Sequence, residues 1–113
     1  MRLLLLPGAL AILAGCASDR VVSVEGGPSR TLSLAVGQDL ALTLHTLGPG
    51  QYASPPSISG ASLRFLADSV VPPFTPGGPT QRFWFRGEAP GRAVVTFHHT
   101  WQQTVVEDTV EVR

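Results

Sequence analysis

Three histidines and eight acidic residues are the side chains that could hold a metal ion or transfer protons. His98 and His99 adjoin in a strand-like segment, so their side chains point to opposite faces and do not easily share a metal ion. The same argument separates the carboxylates of Glu107 and Asp108, while His45 is distant in the sequence. No serine lies in a G-x-S-x-G turn, and no glycine loop leads into a helix. The sequence therefore predicts no metal site and no cofactor, and it indicates that the protein is not an enzyme.

The only cysteine, Cys16, follows an apolar N-terminal segment. This apolar run of twelve residues, 3–14, suits a secretory signal and is short for a membrane-spanning helix. It ends in Leu13-Ala14-Gly15-Cys16, which resembles the lipobox of bacterial lipoproteins. The resemblance implies cleavage before Cys16 and acylation of its thiol, and two or three acyl chains anchor a protein stably. The alternatives are an ordinary signal peptide with a chance cysteine, or a cytosolic protein with an apolar N-terminus.

The lipobox resemblance implies a signal peptide in residues 1–15 and an acylated cysteine at the start of a tether in 16–30. The alternation of apolar and polar residues that begins at Thr31 predicts a folded β-sandwich domain in 31–113. The tether contains "VVSV", which allows an edge strand. Ala17, rather than an aspartate, follows the cysteine, as in lipoproteins sorted to the outer membrane. We therefore expect a lipid-anchored protein of the bacterial cell envelope that faces the periplasm.

The charged residues argue against a nucleic-acid partner. The chain has no lysine, and its eight arginines are dispersed and balanced by eight acids. A basic groove for nucleic acid is therefore not predicted.

The elements that must position any site are short strands. Apolar residues alternate with polar ones in 31–36, 40–45, 82–86, 92–98 and 105–112, and turn signals recur every eight to twelve residues. The pattern predicts a small antiparallel β-sandwich of immunoglobulin-like type with six or seven strands. The segments 31–36 and 40–45 are predicted to form a hairpin, with Val36 on its buried face. The four prolines in 71–80 predict an irregular segment there.

Asp108 has the same parity as the inward-facing valines of the last strand. A bulge near Glu107 and Asp108, or a later start of the strand, is favoured over a buried carboxylate.

Three loops rich in polar residues, proline or glycine interrupt the strands: 46–57, 71–80 and 99–103. Each contributes one aromatic residue predicted to be exposed, namely Tyr52, Phe74 and Trp101. Stiff loops that present aromatic anchors are typical of binding surfaces. The alternative is that these aromatic rings fold back and cover the ends of the core.

The order and spacing of these loops resemble the chagasin-type cysteine protease inhibitors, an immunoglobulin-like family whose three loops fill the cleft of papain-like proteases. Of that family's motif residues, "LGPGQY" retains Gly50 and Tyr52, "TPGGPT" retains Gly77 and Gly78, and "HHTWQQ" retains Trp101. The resemblance implies that these five residues bind a partner.

Two functions follow as hypotheses. The first is a lipid-anchored, non-catalytic module that binds a protease or another envelope protein through these loops, with chagasin-like inhibition as the activity implied. The second is a structural or accessory envelope lipoprotein without inhibitory activity. The first predicts that the loops lie at one end of the sandwich with Tyr52 and Trp101 exposed.

Overall fold

The computed structural model describes residues 21–25, 30–45, 50–75, 78–101 and 105–113. Within these residues the chain forms eight strands and no helix: β1 Val21–Glu25, β2 Arg30–Leu34, β3 Asp39–His45, β4 Ser57–Ser59, β5 Leu63–Thr75, β6 Gly78–Gly87, β7 Gly91–His98 and β8 Val105–Val112. The described residues contain no helix of the length and hydropathy needed to cross a membrane.

The strands form two four-stranded sheets. The first sheet has the order β1-β3-β6-β5, and the second has the order β2-β8-β7-β4. The predicted all-β sandwich is confirmed. Its edges differ from the expectation, because β1 pairs in parallel with β3 and β2 in parallel with β8, whereas the other pairs are antiparallel.

The predicted hairpin of the first two alternating segments is wrong. β2 pairs with β8 and β3 pairs with β6, so the turn between them carries the chain from one sheet to the other. Val36 lies in this turn and is 47% exposed. Alternation correctly predicted that the leucines of β3 are buried, but Ala41 and Thr43 on its other face are buried too, where one buried face was predicted. Alternation also does not identify a strand's partner.

The core lies between the sheets and is built on the predicted parity. Phe83 and Phe85 of β6 face Phe97 of β7, and both contacts are edge-on, with ring centroids 4.9 and 6.3 Å apart. Leucines of β3 and valines of β8 belong to the same cluster. Burial of these apolar side chains is the main source of stability in a domain without a disulfide.

The proline-rich segment is more regular than predicted. β5 continues through Pro72 to Thr75, and Thr75 pairs with Gly78 across a hairpin after a register shift. A strand tolerates proline here because β5 is at the edge of its sheet, where a missing N–H group breaks no ladder.

Asp108 is also a correction to the expectation. β8 pairs with β7 in continuous register, Val95 opposite Asp108, so no bulge removes the side chain from the core. Asp108 is 0% exposed. Burial raises the pKa of its carboxyl group, while the charge and the backbone N–H of Arg30 act in the opposite direction.

Candidate binding site at the loop end of the sandwich

One end of the sandwich gathers the connections that the sequence singled out. In the first sheet β3 ends at His45, which is opposite Thr80 near the start of β6. In the second sheet β7 ends at His98, opposite Val105 at the start of β8. The segment around Tyr52 joins these two edges, because Tyr52 forms an isolated bridge with His99.

A short stretch of backbone pairing holds the first loop against the third. The backbone N–H of Ala53 donates to the carbonyl oxygen of His98 at 2.8 Å, and that of Thr100 donates to Gln51 at 2.8 Å. The N–H of Gln51 in turn donates to the Thr100 hydroxyl at 3.2 Å. Residues 50–53 are therefore held as a strand-like addition beside residues 98–101, not as a free spacer.

The side chain of Gln81 connects this segment to the first sheet. Its Oε1 accepts from the backbone N–H of Tyr52 at 2.7 Å, and its Nε2 donates to the Tyr52 carbonyl at 3.2 Å. Gln81 is buried, so both bonds form where water does not compete freely. The amide acts as a substitute for a neighbouring strand.

Tyr52 corrects the sequence prediction, since it is 4% exposed and belongs to the core cluster. Its ring lies edge-on to Phe97, with centroids 6.3 Å apart, and edge-on to His99 at 5.2 Å. Burial raises the pKa of its phenol. The alternative interpretation, an aromatic ring that covers the end of the core, is therefore the correct one for Tyr52.

Trp101 is exposed as predicted: 75% of its surface is accessible, although its backbone is fixed. The backbone N–H of Trp101 donates to Nδ1 of His99 at 3.2 Å. Gly50 lies beneath it with φ of +99°, and a Cβ atom on Gly50 would be 3.0 Å from Cβ and Cγ of Trp101. The side chain of Trp101 fits against Gly50 because glycine has no Cβ atom there.

The other predicted residues are placed less fully. Gly78 begins β6 at the same end, in register with Thr75. Gly77 and Cys16 lie outside the described residues, as does the side chain of Phe74. The structure therefore brings Gly50 and Trp101 into contact and moves Tyr52 into the core.

Gln81 and His99 were not predicted as site residues, yet they position this end of the molecule. Gln81 has the inward parity of Phe83 and Phe85, and a polar side chain on a buried face requires a partner. A polar residue at an inward-facing position was therefore the sequence signal that could have identified Gln81. His99 offers no comparable sign, because its role depends on where the Trp101 backbone lies.

No family model matches the chain, and no curated protein matches it. Among solved structures, the cysteine protease inhibitor EhICP2 from Entamoeba histolytica has a TM-score of 0.60 and 15% sequence identity, over 82% of this chain and 95% of that one. Amebosin, in a solution structure, has a TM-score of 0.45 and 15% identity, over 78% and 100% of the two chains. PbICP-C, solved in complex with falcipain-2, has a TM-score of 0.42 and 15% identity, over 80% and 96%.

At this sequence identity the likeness to EhICP2 establishes the fold. The described strands have the arrangement of a chagasin-type inhibitor, which confirms the fold-level resemblance.

Proposed function

We propose that this domain is a non-catalytic protein-binding module that engages its partner through the end formed by Gly50 and Trp101. The observation that carries the proposal is that Trp101 is 75% exposed. Its backbone is nevertheless hydrogen-bonded to His99 and its Cβ lies close against Gly50.

An exposed tryptophan on a fixed backbone suits recognition for two reasons. Tryptophan is among the residues enriched at binding hot spots, because it buries a large apolar surface when a partner covers it. A side chain held by ordered neighbours also loses less conformational entropy when it binds. Exposure of a large apolar ring, by contrast, contributes nothing to the stability of the isolated domain.

The partner that we propose is a papain-like cysteine protease. Two observations support this choice: the fold is that of a cysteine protease inhibitor, and Gly50 and Trp101 are in contact although they match motifs of two different inhibitory loops. A tryptophan whose position is supported by the neighbouring loop is suited to insert into the active-site cleft of such a protease. Inhibition then follows by occupation of the cleft, without chemistry by this chain.

We further propose that Cys16 carries lipid and holds the domain at the bacterial envelope, on the outer membrane facing the periplasm. The support is the sequence Leu13-Ala14-Gly15-Cys16 and the absence of another cysteine in the chain. Labelling of cells with a radioactive fatty acid tests it: the wild-type protein should incorporate label, and Cys16→Ser should incorporate none.

Inhibition assays with residues 17–113 against several papain-like proteases test the binding proposal. We expect a dissociation constant below about 10 μM for at least one protease, and Trp101→Ala to weaken it at least about tenfold. Val36→Ala is the matched control, because Val36 is also exposed and apolar but lies in the turn at the opposite end. A well-folded domain that inhibits none of these enzymes would contradict the protease proposal.

A structural or accessory role is the second candidate, and the burial of Tyr52 favours it. The first loop contributes to the core, so part of its composition is explained by stability alone. In that case Trp101→Ala would leave every interaction of the protein in the envelope unchanged.

A further inference from the structure

We propose that the end of the sandwich opposite Trp101 docks on an anionic phospholipid surface, with Arg113 binding a lipid phosphate and Val36 entering among the headgroups. We call this end the base; it contains Val21, the turn 35–38 and Arg113. The inference goes beyond the proposed role of Trp101. It rests on the proposed lipid attachment at Cys16 only for the nearness of a membrane.

The fold gathers arginines at the base. They are dispersed along the sequence, but four of the six arginines among the described residues lie at this end: Arg64, Arg86, Arg92 and Arg113. Their side chains are between 42% and 74% exposed. The carboxylates at the same end of the described fold are three: Asp39, Glu88 and Glu111. The base therefore has one positive charge in excess.

The excess charge is at Arg113. Glu111 is shared by two arginines: its Oε2 accepts from Nη2 of Arg92 at 2.7 Å, whereas its Oε1 is 3.9 Å from Nη2 of Arg113. A separation of 3.9 Å is too long for a hydrogen bond. Arg92 thus holds the carboxylate, and Arg113 retains guanidinium donors for an outside anion.

A cavity of about 220 Å³ opens beside the Arg113 guanidinium, and its lining is mostly polar or small: Ser33, Leu34, Ala35, Gln38 and Arg113. One wall is fixed, because Oε1 of Gln38 accepts the backbone N–H of Ala35 at 2.8 Å. A guanidinium binds two phosphate oxygens through parallel N–H bonds, and a serine hydroxyl can donate another. The cavity therefore offers donors for one phosphate group.

Val36 adds an apolar contact at the tip of the turn 35–38. It is 47% exposed, as is Val21 at the same end. The backbone of the turn is held by both sheets: the N–H of Val36 donates to the carbonyl oxygen of Arg113 at 3.1 Å, and that of Gly37 donates to Gly87 at 2.8 Å. Apolar side chains beside cations are typical of surfaces that lie in the interface of a membrane.

The length of the chain before the fold identifies a membrane as the partner. Cys16 is five residues upstream of Val21. Even a fully extended segment of this length reaches at most about 18 Å, so an acylated Cys16 would keep Val21 that close to the headgroups. Lipid phosphates would then be at high effective concentration around the base.

The test uses the full chain on vesicles, with a fluorescent label on a single cysteine. Cys16→Ser with Val36→Cys places the label at the base, and Cys16→Ser with Trp101→Cys places it at the opposite end. The apolar segment 3–14 should hold both variants on the vesicles without lipidation, which sedimentation verifies. Circular dichroism verifies that each variant is folded.

Lipids with a spin-labelled headgroup quench a label that reaches the surface. On phosphatidylcholine vesicles that contain phosphatidylglycerol, we expect quenching of the Val36 label and none of the Trp101 label. On phosphatidylcholine alone the Val36 label should be quenched little. About 1 M salt should remove the difference, because it screens the charges.

Arg113→Gln should lower the ratio of quenched to unquenched Val36 label about fivefold, which is the effect of one arginine near an anionic surface. Arg82→Gln is the matched control: it removes the same charge from a strand position away from the base, opposite Thr43. It should leave the quenching unchanged.

Equal quenching of the Val36 label on the two kinds of vesicle would overturn the inference, as would equal effects of Arg113→Gln and Arg82→Gln. Inorganic phosphate that shifts the Arg113 side-chain NMR signals, without quenching on vesicles, would also overturn it and indicate a site for a free anion. Quenching as expected, in a chain whose Cys16 incorporates no fatty acid, would reject the lipid anchor and support the contact made by the base.

Discussion

The side-chain amide of Gln81 is hydrogen-bonded to both backbone polar groups of Tyr52, at 2.7 Å to the nitrogen and 3.2 Å to the oxygen. This pair joins the first sheet to the segment that lies beneath Trp101. The end of the sandwich that we propose as the binding site therefore depends on a buried contact between residues that are 29 positions apart.

Gln81→Met should destabilise the domain by about 2–4 kcal/mol, because the buried N–H and C=O groups of Tyr52 would both lose their partner. Urea unfolding monitored by circular dichroism measures the change. Gln51→Met is the control, since the side chain of Gln51 is exposed and should tolerate the same change within about 0.5 kcal/mol. Equal stabilities of the two variants would contradict the structural role of Gln81.

Gly50→Ala should destabilise the domain by about 1–3 kcal/mol, because it combines backbone strain with overpacking against His99 and Trp101. Gly37→Ala separates these effects. Gly37 has φ of +90° but has open space where a Cβ atom would lie, so it should show the strain alone. Stability measurements should rank Gly50→Ala below Gly37→Ala, and only Gly50→Ala should alter the fluorescence of Trp101.

Trp101→Ala should change the free energy of unfolding by less than about 0.5 kcal/mol, because the side chain is largely exposed. Phe97→Ala, which empties a core position of the neighbouring strand, should cost about 3–5 kcal/mol. Thermal unfolding measures both. A large loss for Trp101→Ala would mean that the indole supports the fold, and the binding assay would then lose its meaning.

Asp108→Asn should stabilise the domain at pH 7 by about 1 kcal/mol, because it replaces a buried carboxylate with a neutral group of the same shape. The pKa of Asp108 is raised in the folded state, so folding favours its protonated form. Its unfavourable effect is therefore absent at low pH and develops as the pH rises through the folded pKa.

Urea unfolding of the wild type and Asp108→Asn from pH 3 to pH 7 checks this sign. The difference in stability should be small at pH 3 and largest at pH 7. An advantage of Asn that grows toward acid would show that the carboxylate is stabilised in the fold, contrary to the direction of its pKa shift.

Much of the fold could be predicted from the sequence, because inward parity is a local property. The positions of Leu40, Phe83 and Val110 in the core follow from alternation alone. The parallel pairing of β1 with β3 could not be predicted, since alternation does not identify the neighbouring strand. Asp108 shows the converse: its parity was correct, and the general tendency of charged residues to lie outside gave the wrong prediction.

The candidate site was predictable in part for the same reason. Trp101 follows a strand end in a polar segment, and this context correctly indicated exposure. The segment of Tyr52 has no strand period, so nothing local indicates that Gln81 binds its backbone. Contacts distant in sequence decide the orientation of such a residue.

The parallel pairing of β1 with β3 also determines at which end of the sandwich Val21 lies. Val21 lies beside Asp39, whereas Trp101 is beyond the other end of the strands, about 20 Å away along β3. An attachment upstream of Val21 would therefore connect to the described fold at the end opposite the indole of Trp101. The length of β3 therefore keeps Val21 and the indole about 20 Å apart, whatever the length of the chain upstream of Val21.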